Sequence, residues 1–156
     1  MAESGGTSKS SFAWQRSLLF HFCDEEDWNN FLALSQRQQV DAGTSLWREG
    51  ETGTFLYCLV QGHLEAVKMT PEWGKPIIIA EFFSGATVGT LPGENSSPHS
   101  TTLQVVEESD LICLSADAAS DLMARFPATA ARLWQGAAQL ELCRLRQANQ
   151  RLVTLF

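Results

Sequence analysis

Glu49-Gly50-Glu51-Thr52-Gly53-Thr54-Phe55-Leu56-Tyr57-Cys58-Leu59-Val60-Gln61-Gly62-His63-Leu64-Glu65-Ala66 is the stretch on which the fold turns. Phe55 to Val60 and His63 to Met69 are rich in aliphatic, aromatic and β-branched residues and are bounded by glycine, the signature of short strands ending in turns. Outward from this stretch, glycines at 43, 50, 53, 62, 74 and 85 divide the chain beyond Gln38 into further runs of the same kind. These are Ser45-Leu46-Trp47, Pro76 to Phe83, Leu103 to Val106 and Leu111 to Leu114. Leu64, Ala66 and Lys68 alternate with Glu65, Val67 and Met69, an ambiguous pattern that suits a partly covered sheet. Pro71-Glu72-Trp73-Gly74-Lys75-Pro76 reads as the turn joining two strands. In all, about eight strands are expected, as in a sandwich or barrel.

Helical signals flank this region. Phe12, Trp14, Phe20 and Phe22 mark a short helical or extended segment pinned on the body. Asp24 can cap the free amides of a following helix, and Glu25, Glu26 and Asp27 suit the positive end of its dipole. That acidic cluster therefore reads as a capped helix start in preference to a cation site. Trp28, Phe31, Leu32 and Leu34 supply the apolar face. Ser115 with Asp117 opens a second helix carrying Ala119, Leu122, Met123 and Phe126. Pro127 interrupts it, and a long helix follows from about Ala128 to Phe156. The expected architecture is α+β, a small β-barrel with helices at both ends.

A chain of 156 residues fits one domain, here 12–156, with a β-roll over about 38–115 and C-terminal helices over about 116–156. Residues 1–11 are polar and Gly/Ser-rich and read as a disordered lead. Eleven basic against 18 acidic residues give a net charge of −7, which disfavours a nucleic-acid surface. Cys23, Cys58, Cys113 and Cys143 are scattered, and Cys58 and Cys113 sit inside apolar runs. Free thiols and a cytoplasmic location follow. No run approaches the roughly 18 apolar residues of a membrane span. His21 and His63 have no partners at ligand spacing, so no metal site is expected. No catalytic constellation is apparent, so no catalytic residues are expected and the chain is not read as an enzyme.

The framework resembles the cyclic nucleotide-binding domain family of catabolite-activator and FNR-type regulators and protein kinase A regulatory subunits. The residues that carry the resemblance are Val40-x-Ala42-Gly43-x-x-Leu46, Glu49-Gly50-Glu51-x-Gly53-x-x-Leu56-Tyr57-x-Leu59-x-x-Gly62-x-Leu64-Glu65-Ala66, Ile79, Phe82, Gly85, Val88-Gly89 and Leu111-x-x-Leu114. The resemblance implies a double-stranded β-helix, or jelly-roll-like β-barrel, flanked by an N-terminal helix and C-terminal helices. It places the ligand site at Val88, Gly89, Thr90, Leu91, His99 and Ser100, the family's phosphate-binding cassette. The family's glutamate and arginine, the second ten residues after the glycine, correspond here to Thr90 and His99. The spacing is kept and the charges are not. A guanidinium gives strong charge-assisted hydrogen bonds to a phosphate, whereas a neutral imidazole offers one donor. The resemblance also places the purine contact of the long helix near Arg144 and Leu145. The ligand class it implies is a cyclic nucleotide (cAMP or cGMP), weakly bound, or another small anion.

Ala138, Leu142, Leu145, Asn149, Leu152 and Phe156 are spaced 4, 3, 4, 3 and 4 residues apart, a heptad seam with a single polar position. Leu133, Ala137 and Leu140 form a second line facing the chain's own body. The seam predicts a homodimer through the long helix. Two functions are expected to compete: a Crp/FNR-type regulatory sensor module with a degenerate cassette and no DNA-binding domain in this chain, and a ligand-free dimerisation or interaction module that keeps the fold.

Overall fold

The computed structural model of the chain describes residues 12–53, 55–89 and 98–156, with Phe55 in its backbone alone. The expected disordered lead (1–11) and the cassette positions Thr90 and Leu91 lie outside the described residues. Two 3₁₀ turns, Trp14–Arg16 and Leu18–Phe20, precede helix α1 (Glu25–Leu34). Six strands follow: β1 (Gln36–Val40), β2 (Ser45–Trp47), β3 (Phe55–Met69), β4 (Pro76–Phe83), β5 (Thr87–Gly89) and β6 (Thr102–Ser115). Helices α2 (Ala116–Arg125) and α3 (Pro127–Val153) close the chain.

Every strand pairing is antiparallel. The spine is the long β3–β6 ladder, running from Phe55↔Ser115 to Val67↔Thr102. Each spine strand is flanked by two short ones: β6 by β1 and then β2, and β3 by β5 and then β4. The α+β class and jelly-roll-like arrangement agree with expectation, with one correction. Among the described residues the sheet is an open path, β1-β6-β3-β4, and does not close into a barrel.

The strand count also differs. The expected breaks at Gly62 and between Val106 and Leu111 are not turns: each lies inside one continuous strand. Gly62 has φ +126°, and a Cβ there would overlap the Ser109 side chain, so the glycine lets the two spine strands touch. Ladder register shifts at Leu59/Gln61, Gln61/His63 and His63/Leu64. The inward-facing positions of β3 accordingly change from odd (Tyr57, Leu59) to even (Leu64, Ala66), while β6 keeps Leu103, Val105, Leu111 and Cys113 inside. A register irregularity that exchanges the two faces is what makes this strand's pattern ambiguous in sequence. Strand β1, Gln-Arg-Gln-Gln-Val, has almost no apolar signal. Its ladder to β6 and the Arg37 Nε–Asp110 Oδ1 hydrogen bond of 2.9 Å hold it in place.

The spine separates two cores. Tyr57, Leu59, Leu64, Leu103 and Leu111 fill the inside of the roll. Leu56, Cys58, Val60, Ile112 and Leu114 pack on the other side against Phe20, Phe31, Leu122 and Leu133 of the helical layer. There Trp28 stacks on Phe12, Trp14 and Phe31 and meets Phe20 edge-on. Helix α3 approaches the turn before α1 so closely that a Cβ on Gly136 would overlap the Leu19 carbonyl.

Asp24 caps α1 as expected, and Asp27 returns the bond to the Asp24 amide at 3.0 Å, completing a capping box. Asp27 does more than cap. Only 3% exposed, it accepts hydrogen bonds from Thr129 Oγ1 at 2.6 Å and Arg132 Nη1 at 3.0 Å, tying α1 to the first turns of α3. Burial raises the Asp27 carboxyl pKa, but the bonds from Thr129 and the Asp24 amide and the nearby Arg132 charge outweigh it, and the net shift is downward. A carboxylate whose folded pKa lies below its unfolded value stabilises the fold above the unfolded value and loses that contribution as pH falls through the folded one. Asp27→Asn is expected to cost about 1–3 kcal/mol at pH 7. The cost should shrink as pH drops below about 4. Urea melts of both proteins at pH 7 and pH 3 check this, and a cost that does not change with pH would contradict it.

Candidate ligand-binding site

A cavity of about 570 Å³ lies between β5, the end of β2, the segment entering β6, and α3. Its size falls within the ordinary range for small-molecule pockets. Val88, Gly89, His99 and Ser100, four of the positions expected from sequence, line it. Val88 is buried on β5 opposite Tyr57, and Gly89 pairs with Leu56 at φ +120°, a backbone conformation that favours glycine.

His99 is held by its backbone and by its ring. The Gly50 amide donates to the His99 carbonyl at 2.9 Å, and the His99 amide donates to the Glu51 carbonyl at 2.8 Å. Lys68 Nζ donates to the Ser100 carbonyl at 2.8 Å and pairs with Glu49 Oε1 at 2.9 Å. The Glu49 amide donates to Thr102 Oγ1 at 3.0 Å. The Glu49–Glu51 turn, which in sequence reads only as a turn, thus anchors the segment carrying His99. The imidazole lies flat on Trp47, with ring centroids 4.5 Å apart and planes 9° apart. Trp47 is 9% exposed, and its buried Nε1 has no hydrogen-bond partner among the described residues.

The wall opposite the cassette comes from α3. Trp134, Ala138, Glu141 and Arg144 line the cavity and recur at helical spacing. Arg144 sits beside the cavity, near the position the resemblance gives to the purine contact, whereas Leu145 does not line it and is 57% exposed. The Arg144 guanidinium donates to the Thr87 carbonyl, donates to Glu141 Oε1 at 2.7 Å, and lies 5.6 Å from the centre of the Phe82 ring. Among the described residues lining the cavity, Glu141 and Arg144 are the charged ones, and they neutralise each other. The described lining therefore offers the Trp47 and Trp134 rings, the His99 imidazole and an already paired guanidinium. Trp47, Trp134 and Glu141 are lining residues that sequence reasoning does not select. The recurrence of Trp134, Ala138 and Glu141 along one side of α3 was the available signal, masked by the stronger heptad.

Of the seam residues, Ala138 borders the cavity. Leu142 is 41%, Leu145 57%, Leu152 56% and Phe156 fully exposed, and Asn149 is exposed. Leu133, Ala137 and Leu140 face the helical core, as their spacing implies. All four cysteines are free. Burial pushes the Cys58 and Cys113 thiols up from their ordinary pKa and the Cys23 thiol up to about 12, the last with help from Asp27. No helix among the described residues is long and apolar enough to cross a membrane. His63, partnerless by sequence spacing, has Glu65 and Glu81 beside it through the β3–β4 pairing.

Residues 37–126 match the family model of the cyclic nucleotide-binding domain. The chain belongs to this family. Among solved structures it is similar to the catabolite activator protein of Thermus thermophilus, at 24% identity and a TM-score of 0.72 over 89% of this chain and 63% of that one. It is also similar to the regulatory domain of Toxoplasma gondii PKA solved with cAMP, at 27% identity and a TM-score of 0.65 over 76% of this chain and 46% of that one. A curated relative is the mouse patatin-like phospholipase domain-containing protein 7, 28% identical over 95 residues, which are 61% of this chain and 7% of that protein. The chain thus spans a small part of the curated relatives it matches and under two thirds of these two structures.

Arg144→Ala would leave the buried Thr87 carbonyl without its guanidinium donor and release Glu141. A loss of about 1–2 kcal/mol is expected in urea unfolding. Arg144→Lys is expected to restore part of it, since one ammonium reaches one acceptor well and loses the planar fork. An unchanged midpoint in Arg144→Ala would show that the contact carries no stability.

Proposed function

We propose that this domain is a regulatory sensor of the Crp/FNR type, non-enzymatic and cytoplasmic, whose pocket binds cyclic AMP or cyclic GMP weakly or takes a different small anion. The observation that carries this reading is His99. It occupies the cassette's arginine position, stacked on Trp47, in a cavity whose guanidinium is already paired with Glu141. Among the described lining residues a cyclic phosphate meets an imidazole but no free cation. Losing a desolvated charge partner costs about 2–5 kcal/mol, or about 30-fold or more in affinity. The regulators that share this fold supply the sensor role, and the four free thiols fit a reducing compartment.

Isothermal titration with cyclic AMP and cyclic GMP tests it. The wild-type domain is expected to bind neither below the micromolar range, and His99→Arg is expected to tighten binding at least about 30-fold. Submicromolar wild-type binding that His99→Ala abolishes would refute the degenerate-pocket reading.

The second reading is a ligand-free dimerisation module, favoured by the exposed Leu142, Leu145 and Leu152 on one face of α3; Phe156, also exposed, lies beyond the end of the helix at Val153. Both readings share the dimer, and a thermal screen of nucleotides and simple anions that moves no melting temperature selects the second. Sedimentation at tens of micromolar is expected to show a dimer that the pair Leu145→Glu and Leu152→Glu converts to monomer. A wild-type monomer would remove the seam from both readings.

A further inference from the structure

We propose that His63, Glu65 and Glu81 form a binding site for a divalent transition-metal ion, with zinc the best match. The three side chains offer one ligand atom each, all within 4.8 Å of one another, on the face of the β3–β4 hairpin opposite Leu64 and Ala66. Strand geometry brings them together. His63 and Glu65 are two apart on β3 and so share a face, and Glu81 is the direct cross-strand partner of Glu65. The site does not touch the nucleotide cavity and rests on none of the residues that line it.

Two further observations point to a cation. Carboxylates directly opposite across an antiparallel pair repel each other and destabilise the hairpin unless a positive charge sits between them. His63 Nε2 is buried and lies 3.2 Å from Glu81 Oε1, an ion pair when the imidazole is protonated, and it has no hydrogen-bond partner among the described residues. That separation also suits two ligands of one metal: at bond lengths of about 2.1 Å, the edge of a tetrahedral site is about 3.4 Å. The imidazole is also pre-positioned. It stacks on Phe83 with centroids 4.6 Å apart, and it follows the Gly62 irregularity, where the His63 amide donates to Ser109 Oγ at 3.3 Å. Bulges recur where a strand must re-aim a side chain.

One imidazole nitrogen and two carboxylate oxygens suit zinc, or cobalt and manganese more weakly, better than calcium or magnesium. Glu81 is 49% exposed on its side chain, so the fourth position opens to solvent and takes a water or a ligand from outside. Cys58 and Cys113 point into the two cores and cannot supply it.

The test uses the whole chain stripped of metal by chelator. Equilibrium dialysis is expected to find one zinc per chain, and zinc at about a hundredfold above its Kd should raise the melting temperature by about 5–10 °C. His63→Gln and Glu81→Gln should each weaken zinc binding at least tenfold, with metal-free melting temperatures within a few degrees of wild type. Cobalt should give a spectrum without thiolate charge transfer, and the Cys23→Ser, Cys143→Ser double variant should bind as wild type does. Three results would overturn the proposal: no zinc-dependent shift, a shift retained in His63→Gln, or a shift lost in the cysteine variant.

Discussion

The β3–β6 ladder and its kink at Gly62 and Ser109 are the constraint on which the rest of the molecule depends. Both strands are too long for one flat pairing, and each is shared between two short neighbours along its length. A flat ladder would hold one set of side chains on each face throughout. The contact that Gly62 permits lets β3 exchange faces part-way, so that Leu59 and Leu64 both reach the inside of the roll. Before the kink, the other face of β3 supplies Leu56, Cys58 and Val60 to the helical core. After it, that face carries His63 and Glu65. One backbone feature therefore decides where the helices pack, where the roll's interior lies, and which polar side chains meet on the outside.

Much of this is legible in the sequence because it follows from local rules. Asp24 and Ser115 are capping residues and do cap. Pro127 begins α3 at the position a missing amide proton allows. The 70–75 turn closes with the hydrogen bond from the Thr70 amide to the Lys75 carbonyl. What escaped reading was non-local. Gly62 looks like a turn until Ser109, 47 positions on, is seen to fill the space a Cβ would need. β1 is polar because it is an edge strand, and its pairing with β6 leaves no apolar period to detect. Glu65 and Glu81 face one another only through the register of the hairpin, and no spacing rule along the chain announces that pairing.

The site shows the same division. Of the positions that the glycine-to-histidine spacing selects, Val88, Gly89, His99 and Ser100 line the cavity, while Thr90 and Leu91 lie outside the described residues. The chemistry of the opposite wall was hidden because α3 carries two patterns at once. Leu142, Leu145, Leu152 and Phe156 give the stronger period and stand exposed, while Trp134, Glu141 and Arg144 occupy the side that faces the cavity. A heptad count finds the first stripe and absorbs the second.

Because both stripes are on one helix, the cavity and the exposed seam cannot be independent. Arg144 is held to the Thr87 carbonyl of β5 and to Glu141, and Arg151, about two turns further along, donates to the Ile79 carbonyl of β4 at 3.2 Å. In the absence of ligand the guanidinium is satisfied by the protein itself. An anion entering the cavity must therefore compete with Glu141 for Arg144, and it brings a second negative charge close to that carboxylate. Only a ligand that offers the guanidinium more than Glu141 and Thr87 together can displace them, and doing so loosens the link between β5 and α3. His99 sets the opposite side of the balance: without a fixed cation there, an entering anion has little to offset the charge of Glu141. On the reading proposed above, binding and helix position are coupled through Arg144, whose partners are the Thr87 carbonyl of β5 and Glu141 of α3.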